Sequence, residues 1–405
     1  MPIGYSQLPE LLSIAGVRLA ATPAGIRYQN RNDLVLLELA EGSRCAAVFT
    51  RNAFCAAPVL LAREHLQHAA PRYLLINSGN ANAGTGAPGV EAARRSCAAL
   101  ADLTGCEPQT ILPFSTGVIG VQLPVERIET ALPKALATLA EDNWALAAHA
   151  IMTTDTVAKG ISQTLQVDGR SVTLTGIAKG SGMIRPDMAT MLAYIATDAC
   201  VDAGFLQDSL NRAAAATFNR ITVDGDTSTN DACVLVASGR AGNAVINTDH
   251  PEQALFDGAV RAVCARLAQL IVRDGEGATK YVTVRVSGGV DSAECLLVAY
   301  AVAHSPLVKT ALFASDPNWG RILAAVGRAG LVDLDVALIE IYLDDVCIVR
   351  HGGVDAAYRE ADGQRVMSRE EILIDIRLGR GSAVETVWTT DLSHEYVRIN
   401  AEYRS

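Results

Sequence analysis

Lys179-Gly180-Ser181-Gly182-Met183-Ile184-Arg185-Pro186-Asp187-Met188-Ala189-Thr190-Met191-Leu192 lies near the middle of a 405-residue chain. Gly180 and Gly182 free the backbone, Pro186 constrains a turn, and Ala189 places a small side chain ahead of a threonine. Such a threonine most often just closes a turn before a strand. As a catalyst its hydroxyl is weak at neutral pH and needs a base within hydrogen-bond reach. No histidine adjoins it; the nearest in sequence are His149 and His250. Cutting the Ala189–Thr190 bond supplies the base, because Thr190 then carries a free α-amine of pKa roughly 7.7–8.0 beside its own hydroxyl.

Other stretches gain meaning around this one. Pro113-Phe114-Ser115-Thr116-Gly117-Val118-Ile119-Gly120 sets a hydroxyl beside a glycine amide, two donors of the kind that stabilise an oxyanion, although Ser-Thr-Gly alone is usually a turn. Ala150-Ile151-Met152-Thr153-Thr154-Asp155-Thr156 is threonine-rich and on its own could cap a helix. Arg273-Asp274-Gly275-Glu276-Gly277-Ala278-Thr279-Lys280 follows a long helical pattern, and Gly275 is well explained as its stop. Arg398-Ile399-Asn400-Ala401-Glu402-Tyr403-Arg404-Ser405 would ordinarily be a frayed tail. Three polar runs, at 77–84, 222–231 and 315–321, read as loops around a pocket. The acidic run at 224–231 lacks the spacing of a calcium loop, and no metal site is expected. Lys179-Gly-Ser-Gly is not a phosphate loop, since the lysine precedes the glycines.

Taken together, these motifs resemble the ornithine acetyltransferase family, the bifunctional glutamate N-acetyltransferases of arginine biosynthesis, over nearly the whole chain. The resemblance implies an α+β fold of sheets sandwiched between helix layers, with both halves sharing one core. That is the self-processing N-terminal-nucleophile type shared with D-aminopeptidases. It implies an N→O acyl shift in which Thr190 Oγ attacks the Ala189 carbonyl and water opens the ester. The products are an α chain, 1–189, and a β chain, 190–405. Thr190 then takes the acetyl group of N-acetylornithine and glutamate receives it, while Thr116 and Gly117 form the oxyanion hole. Thr153, Lys179, Thr190, Glu276, Asn400 and Ser405 are implied substrate contacts; the residues leave open whether Thr153 or Thr154 is the one. Ser405 stands where many relatives end in threonine, and it keeps the hydroxyl. No cofactor is implied. Acetyl-CoA as a second acetyl donor is left open, as is feedback inhibition, and an α2β2 assembly rests on the resemblance alone. The same nucleophile also suits an amidase or aminopeptidase in which water takes the acyl group, whereas an uncleaved binding protein fits the motifs poorly.

Composition agrees with a globular enzyme: half of the residues are hydrophobic and 19% are charged. The net charge of −10 falls wholly after residue 189. Residues 1–189 carry 15 basic and 15 acidic side chains, and residues 190–405 carry 19 and 29. Without a basic cluster, nucleic acid and anionic membranes are unexpected partners. No apolar run approaches the roughly 18 residues of a membrane span, and Met1-Pro2-Ile3-Gly4-Tyr5 has no signal-peptide character, so the cytoplasm is expected. Nine cysteines without a Cys-x-x-Cys pair fit buried free thiols.

Periodicity predicts strands at 34–39, 73–76, 172–175 and 192–196, and helices at 89–105, 205–218 and 252–272. The first helix places Leu100 and Leu103 on its apolar face, and the last places Leu255, Val260, Val263 and Leu267 there. Two period-two strands follow, Val282/Val284/Val286 and Ile372/Ile374/Ile376/Leu378. No linker-like stretch separates the halves at Thr190, so the cut falls inside a folded unit.

Overall fold

Runs of branched aliphatic residues make the strands of the first two sheets, in a computed structural model that describes residues 2–185 and 191–402. These sheets lie in the larger of two compact units, Gln7–Asn219 with Asp226–Ile271. Its elements are β1 (Val17–Thr22), β2 (Leu34–Leu39), β3 (Arg44–Phe49), α1 (Ala57–His68), β4 (Tyr73–Asn80), α2 (Gly86–Thr104), β5 (Ile111–Val118), α3 (Val125–Ala137) and α4 (Trp144–Ala150). They continue with β6 (Lys159–Val167), β7 (Arg170–Lys179), β8 (Leu192–Thr197), α5 (Ala203–Ala216), β9 (Ala232–Ala237) and α6 (Gln253–Arg273), the last up to Ile271. One sheet has the order β1-β2-β4-β5 and the other β3-β9-β8-β7-β6.

The two sheets face each other. Leu19, Leu37, Ile76 and Phe114 of the first meet Ile177, Leu192, Tyr194 and Val234 of the second in one apolar layer, together with Trp144. Phe114 stands edge-on to Tyr194 with ring centroids 5.4 Å apart, a favoured aromatic geometry. The outer face of the first sheet, including Leu36, Leu75 and Ile111, is covered by Leu100 of α2 and by Ile128 and Leu132 of α3. On the outer face of the second, α5 packs against β3 and β9. There a Cβ on Gly176 would come within 3.1 Å of Val263 and Leu267 of α6. The expected α+β arrangement of sheets between helix layers is therefore present, and residues from both sides of 186–190 share one core.

The smaller unit comprises Met1–Ser6, Arg220–Gly225 and Val272–Ser405. It contains β10 (Tyr281–Gly289), α7 (Ser292–Ala303), α8 (Pro306–Phe313), α9 (Trp319–Gly327), β11 (Glu340–Leu343), β12 (Val346–Arg350), β13 (Gly353–Val354), α10 (Glu360–Met367), β14 (Glu371–Arg377), β15 (Ala383–Thr390) and α11 (His394–Ala401). The sheet order is β13-β12-β11-β14-β10-β15. The two period-two stretches become neighbours, Val282 opposite Ile372 and Val284 opposite Ile374 in parallel register. Their apolar faces close a core with Val298 and Val302 of α7.

Some expectations are corrected. Leu103 and Leu255 are about half exposed, at 49% and 48%, unlike Leu100 and Val263; both sit in terminal turns of their helices. Residues 77–80 are not loop but the end of β4, and Thr116 and Gly117 lie inside β5. Asp375, expected on the open face of β14, is buried and held by Arg285 at 2.8 Å and Arg377 at 3.2 Å. All nine cysteines are free. Among the described residues no single helix is long and apolar enough to cross a membrane.

Candidate active site

The parallel pair β4–β5 positions Thr116 and Gly117 opposite Ser78 and Gly79. Gly117 has φ +135° and Gly79 has φ +102°, conformations open to glycine. A Cβ on Gly117 would lie 2.2 Å from the Gly79 carbonyl carbon and 2.5 Å from the Asn80 nitrogen. The two backbones touch here, and only glycine permits it. Side chains lock the pair: Ser115 Oγ donates to Asn77 Oδ1 at 2.6 Å, and Ser78 Oγ donates to the Ala150 carbonyl at 2.7 Å. Thr116 is buried, and its hydroxyl makes no hydrogen bond to another described residue.

Asp155 organises the ends of β6 and β7. Its carboxylate accepts from Lys159 Nζ at 2.6 Å, from the Gly180 amide at 2.7 Å and from the Thr153 amide at 3.0 Å. The Asp155 and Lys159 side chains are both fully buried. Burial opposes ionisation of Asp155, but the ammonium groups of Lys159 and Lys179 and the Gly180 amide outweigh it. The carboxyl is held well below the usual carboxylate range. Thr153, Lys179 and Gly180 are thus tied to one buried charge, and Lys179 is half-buried beside it. Thr154 is half-buried in the same turn.

Lys179 ends β7 directly opposite Leu192, which opens β8. The segment 180–191 therefore leaves and re-enters adjacent antiparallel strands. Asn230, Asp231 and Ala232 link Met191, at its far end, to the β5 backbone beside Thr116. The Ala232 amide donates to the Met191 carbonyl at 3.0 Å, and Asn230 Nδ2 donates to the Ser115 carbonyl at 2.9 Å and the Ala81 carbonyl at 2.6 Å. Asp231 is buried and feels the Lys179 charge. Burial pushes its carboxyl well above the ordinary value, against hydrogen bonds from Ser228 and the Met191 amide.

In the smaller unit, Glu276 is buried at 8% exposure and accepts from Asn400 Nδ2 at 2.8 Å. The C-terminal segment does not fray there. Ser393 Oγ accepts from the Tyr396 amide to cap α11 and donates to the Gly277 carbonyl at 2.6 Å. Two sequence candidates 124 residues apart are therefore in contact.

Within the larger unit the structure brings Thr153 and Lys179 to Asp155, and links residue 191 to residue 115. Ala189, Thr190 and Ser405 lie outside the described residues. Sequence reasoning missed Asp155, Lys159, Asn230 and Asp231. For the first pair a signal existed, an acid four residues before a lysine within the Thr-rich motif. Asn230 and Asp231 sat in a run read as a pocket loop and rejected as a calcium loop, and nothing local marks them as buried.

The sequence profile of the ArgJ family matches residues 18–405. The arginine biosynthesis bifunctional protein ArgJ of Pseudomonas fluorescens strain Pf0-1 is 60% identical, over 100% of both chains. That of Pseudomonas syringae pv. tomato strain DC3000 is 58% identical, again over 100% of both. The crystal structure of the protein of that name from Bacillus halodurans is 40% identical, covers 52% of this chain and 99% of its own, and superposes with a TM-score of 0.50. With a profile spanning nearly the whole sequence and relatives matching end to end at more than half of all positions, the chain belongs to the ArgJ family.

Proposed function

We propose that this enzyme moves the acetyl group of N2-acetylornithine to glutamate through an acetyl-threonine intermediate, after cutting itself at Ala189–Thr190. The observation that carries the reading is the clamp at residues 230–232, which holds Met191, the residue after Thr190, and Ser115, the residue before Thr116, to one three-residue segment. A nucleophile at 190 and an oxyanion site at 116–117 fit that tether. The solved relative from Bacillus halodurans lends support, since 99% of its chain covers 52% of this one, close to the share that one product of the cut would take.

In the maturation step Thr190 Oγ attacks the Ala189 carbonyl, the amide becomes an ester with release of the α-amine, and water hydrolyses the ester. In turnover the free α-amine takes the Thr190 hydroxyl proton as Oγ attacks the acetyl carbonyl of N-acetylornithine. The Thr116 hydroxyl and Gly117 amide receive the oxyanion. Collapse expels the ornithine α-amine, which takes the proton from the Thr190 ammonium. The glutamate amine then attacks the acetyl ester, and the same steps in reverse release N-acetylglutamate. Lys179 offers a cation to a substrate carboxylate and Glu276 an anion to an ammonium. Thr153, Asn400 and Ser405 complete the proposed contacts. Acetyl-CoA as a second donor, an α2β2 assembly and a cytoplasmic location belong to the same proposal.

The test is a denatured intact-mass spectrum taken after brief mixing with N-acetylornithine. The expected result is two species, 1–189 and 190–405, with the second partly one acetyl group heavier. Thr190→Ala should give a single chain without transfer. A single unmodified 405-residue mass from the native sequence would refute the reading, and glutamate that neither speeds turnover nor captures acetyl would turn it to a hydrolase.

A further inference from the structure

We infer that Asp231 is a positioning residue for the nucleophile, an inference that rests on the reading of Thr190 above. Its side chain accepts the Met191 amide, while the Ala232 amide donates to the Met191 carbonyl at 3.0 Å. Both backbone polar groups of the residue that follows Thr190 are thereby spoken for by Asp231, just before β9, and Ala232, its first residue. Residue 231 is itself fixed, for its carbonyl accepts from the Thr50 amide at 2.9 Å and its side chain from Ser228. A two-point hold of this kind sets where the chain enters β8, and small misplacements of a reacting group cost rate steeply.

Among the described residues, the Lys179 ammonium acts on the Asp231 carboxyl, and the Cys55 thiol feels the charges of both Asp231 and Arg63. Burial favours the protonated acid. A neutral carboxyl still accepts the Met191 N–H through its carbonyl oxygen, and an asparagine amide offers the same oxygen in the same place.

The experiment follows self-cleavage by intact mass in the native chain, Asp231→Asn and Asp231→Ala, then measures kcat and KM on the cleaved enzymes, with thermal melting as the control for folding. Asp231→Asn should split at 189/190 and turn over within about threefold of the native chain. Asp231→Ala, at native melting temperature, should do both at least about tenfold more slowly with an unchanged KM, the rate equivalent of one lost buried hydrogen bond. Native cleavage and kcat in Asp231→Ala would overturn the inference. If that variant does not fold, Asp231→Ser decides the question in the same way, because its shorter hydroxyl falls short of Met191. A native chain that never splits would refute the proposed function first, a result distinct from any difference among the variants.

Discussion

Gly117→Ala isolates the proposed oxyanion element. The new Cβ would stand 2.2 Å from Gly79 C, 2.5 Å from Asn80 N and 2.6 Å from Gly79 O, all backbone atoms that no rotamer can move aside. Ordinary contact begins about 3.5 Å out, so β4 and β5 must part by roughly 1 Å at this point. The φ of +135° adds strain of about 1–3 kcal/mol for any residue with a side chain. A 1 Å shift of a group that acts on the transition state costs about a hundredfold, and loss of one oxyanion donor about a hundred- to a thousandfold. The expected result is therefore a kcat for acetyl transfer reduced by about two to three orders of magnitude with KM little changed. Steady-state kinetics with N-acetylornithine and glutamate measures it, alongside urea unfolding to subtract any stability loss. A folded Gly117→Ala enzyme with native kcat would refute both the tight packing and the role given to this amide.

Two further substitutions probe the surroundings. Asp155→Asn leaves the Lys159 ammonium buried without its counter-charge and should cost about 3–5 kcal/mol by urea unfolding, much of it recovered by adding Lys159→Met. Because the folded carboxyl titrates below its unfolded value of about 3.9, its stabilisation is complete above that pH and drains as pH falls below it. Melting temperature should accordingly fall more steeply below about pH 4 in the native protein than in Asp155→Asn. Gly277→Ala, at φ +66°, would place a Cβ 2.4 Å from the Tyr396 amide and 2.7 Å from Ser393 Oγ. The start of α11 must then shift, carrying Asn400 from Glu276, and KM for N-acetylornithine should rise about tenfold with kcat largely kept; an unchanged KM would argue against a role for that pair.

The elements that a local pattern can encode were legible. The alternation at 282–286 and 372–376 became β10 and β14, and the three-to-four spacing across 252–272 became α6. What pairs with what was not: Val282 meets Ile372 across ninety positions, and no feature of either strand names the other. At the candidate site, Thr116, Gly117, Thr153, Lys179, Glu276 and Asn400 were chosen because their motifs resemble those of a family, not because spacing alone demanded them. Burial decided the rest. Asp155 carries only the faint mark of a lysine four residues on, and Asp231 none; burial raises the Asp231 carboxyl, while at Asp155 the lysine charges outweigh burial and lower it.

The pairing of Lys179 with Leu192 also bears on how such a molecule can be rebuilt. An unbroken polypeptide finds that match by searching a short connection, whose entropic cost grows only with the logarithm of its length. Two polypeptides released from one another by denaturant would have to meet in solution, and each encounter forfeits translational freedom at a cost of at least about 4 kcal/mol. Dilution penalises the second route and leaves the first untouched. On the proposed reading, the finished molecule keeps an arrangement that was reached while it was still one thread, and it would regain that arrangement less readily than its own precursor.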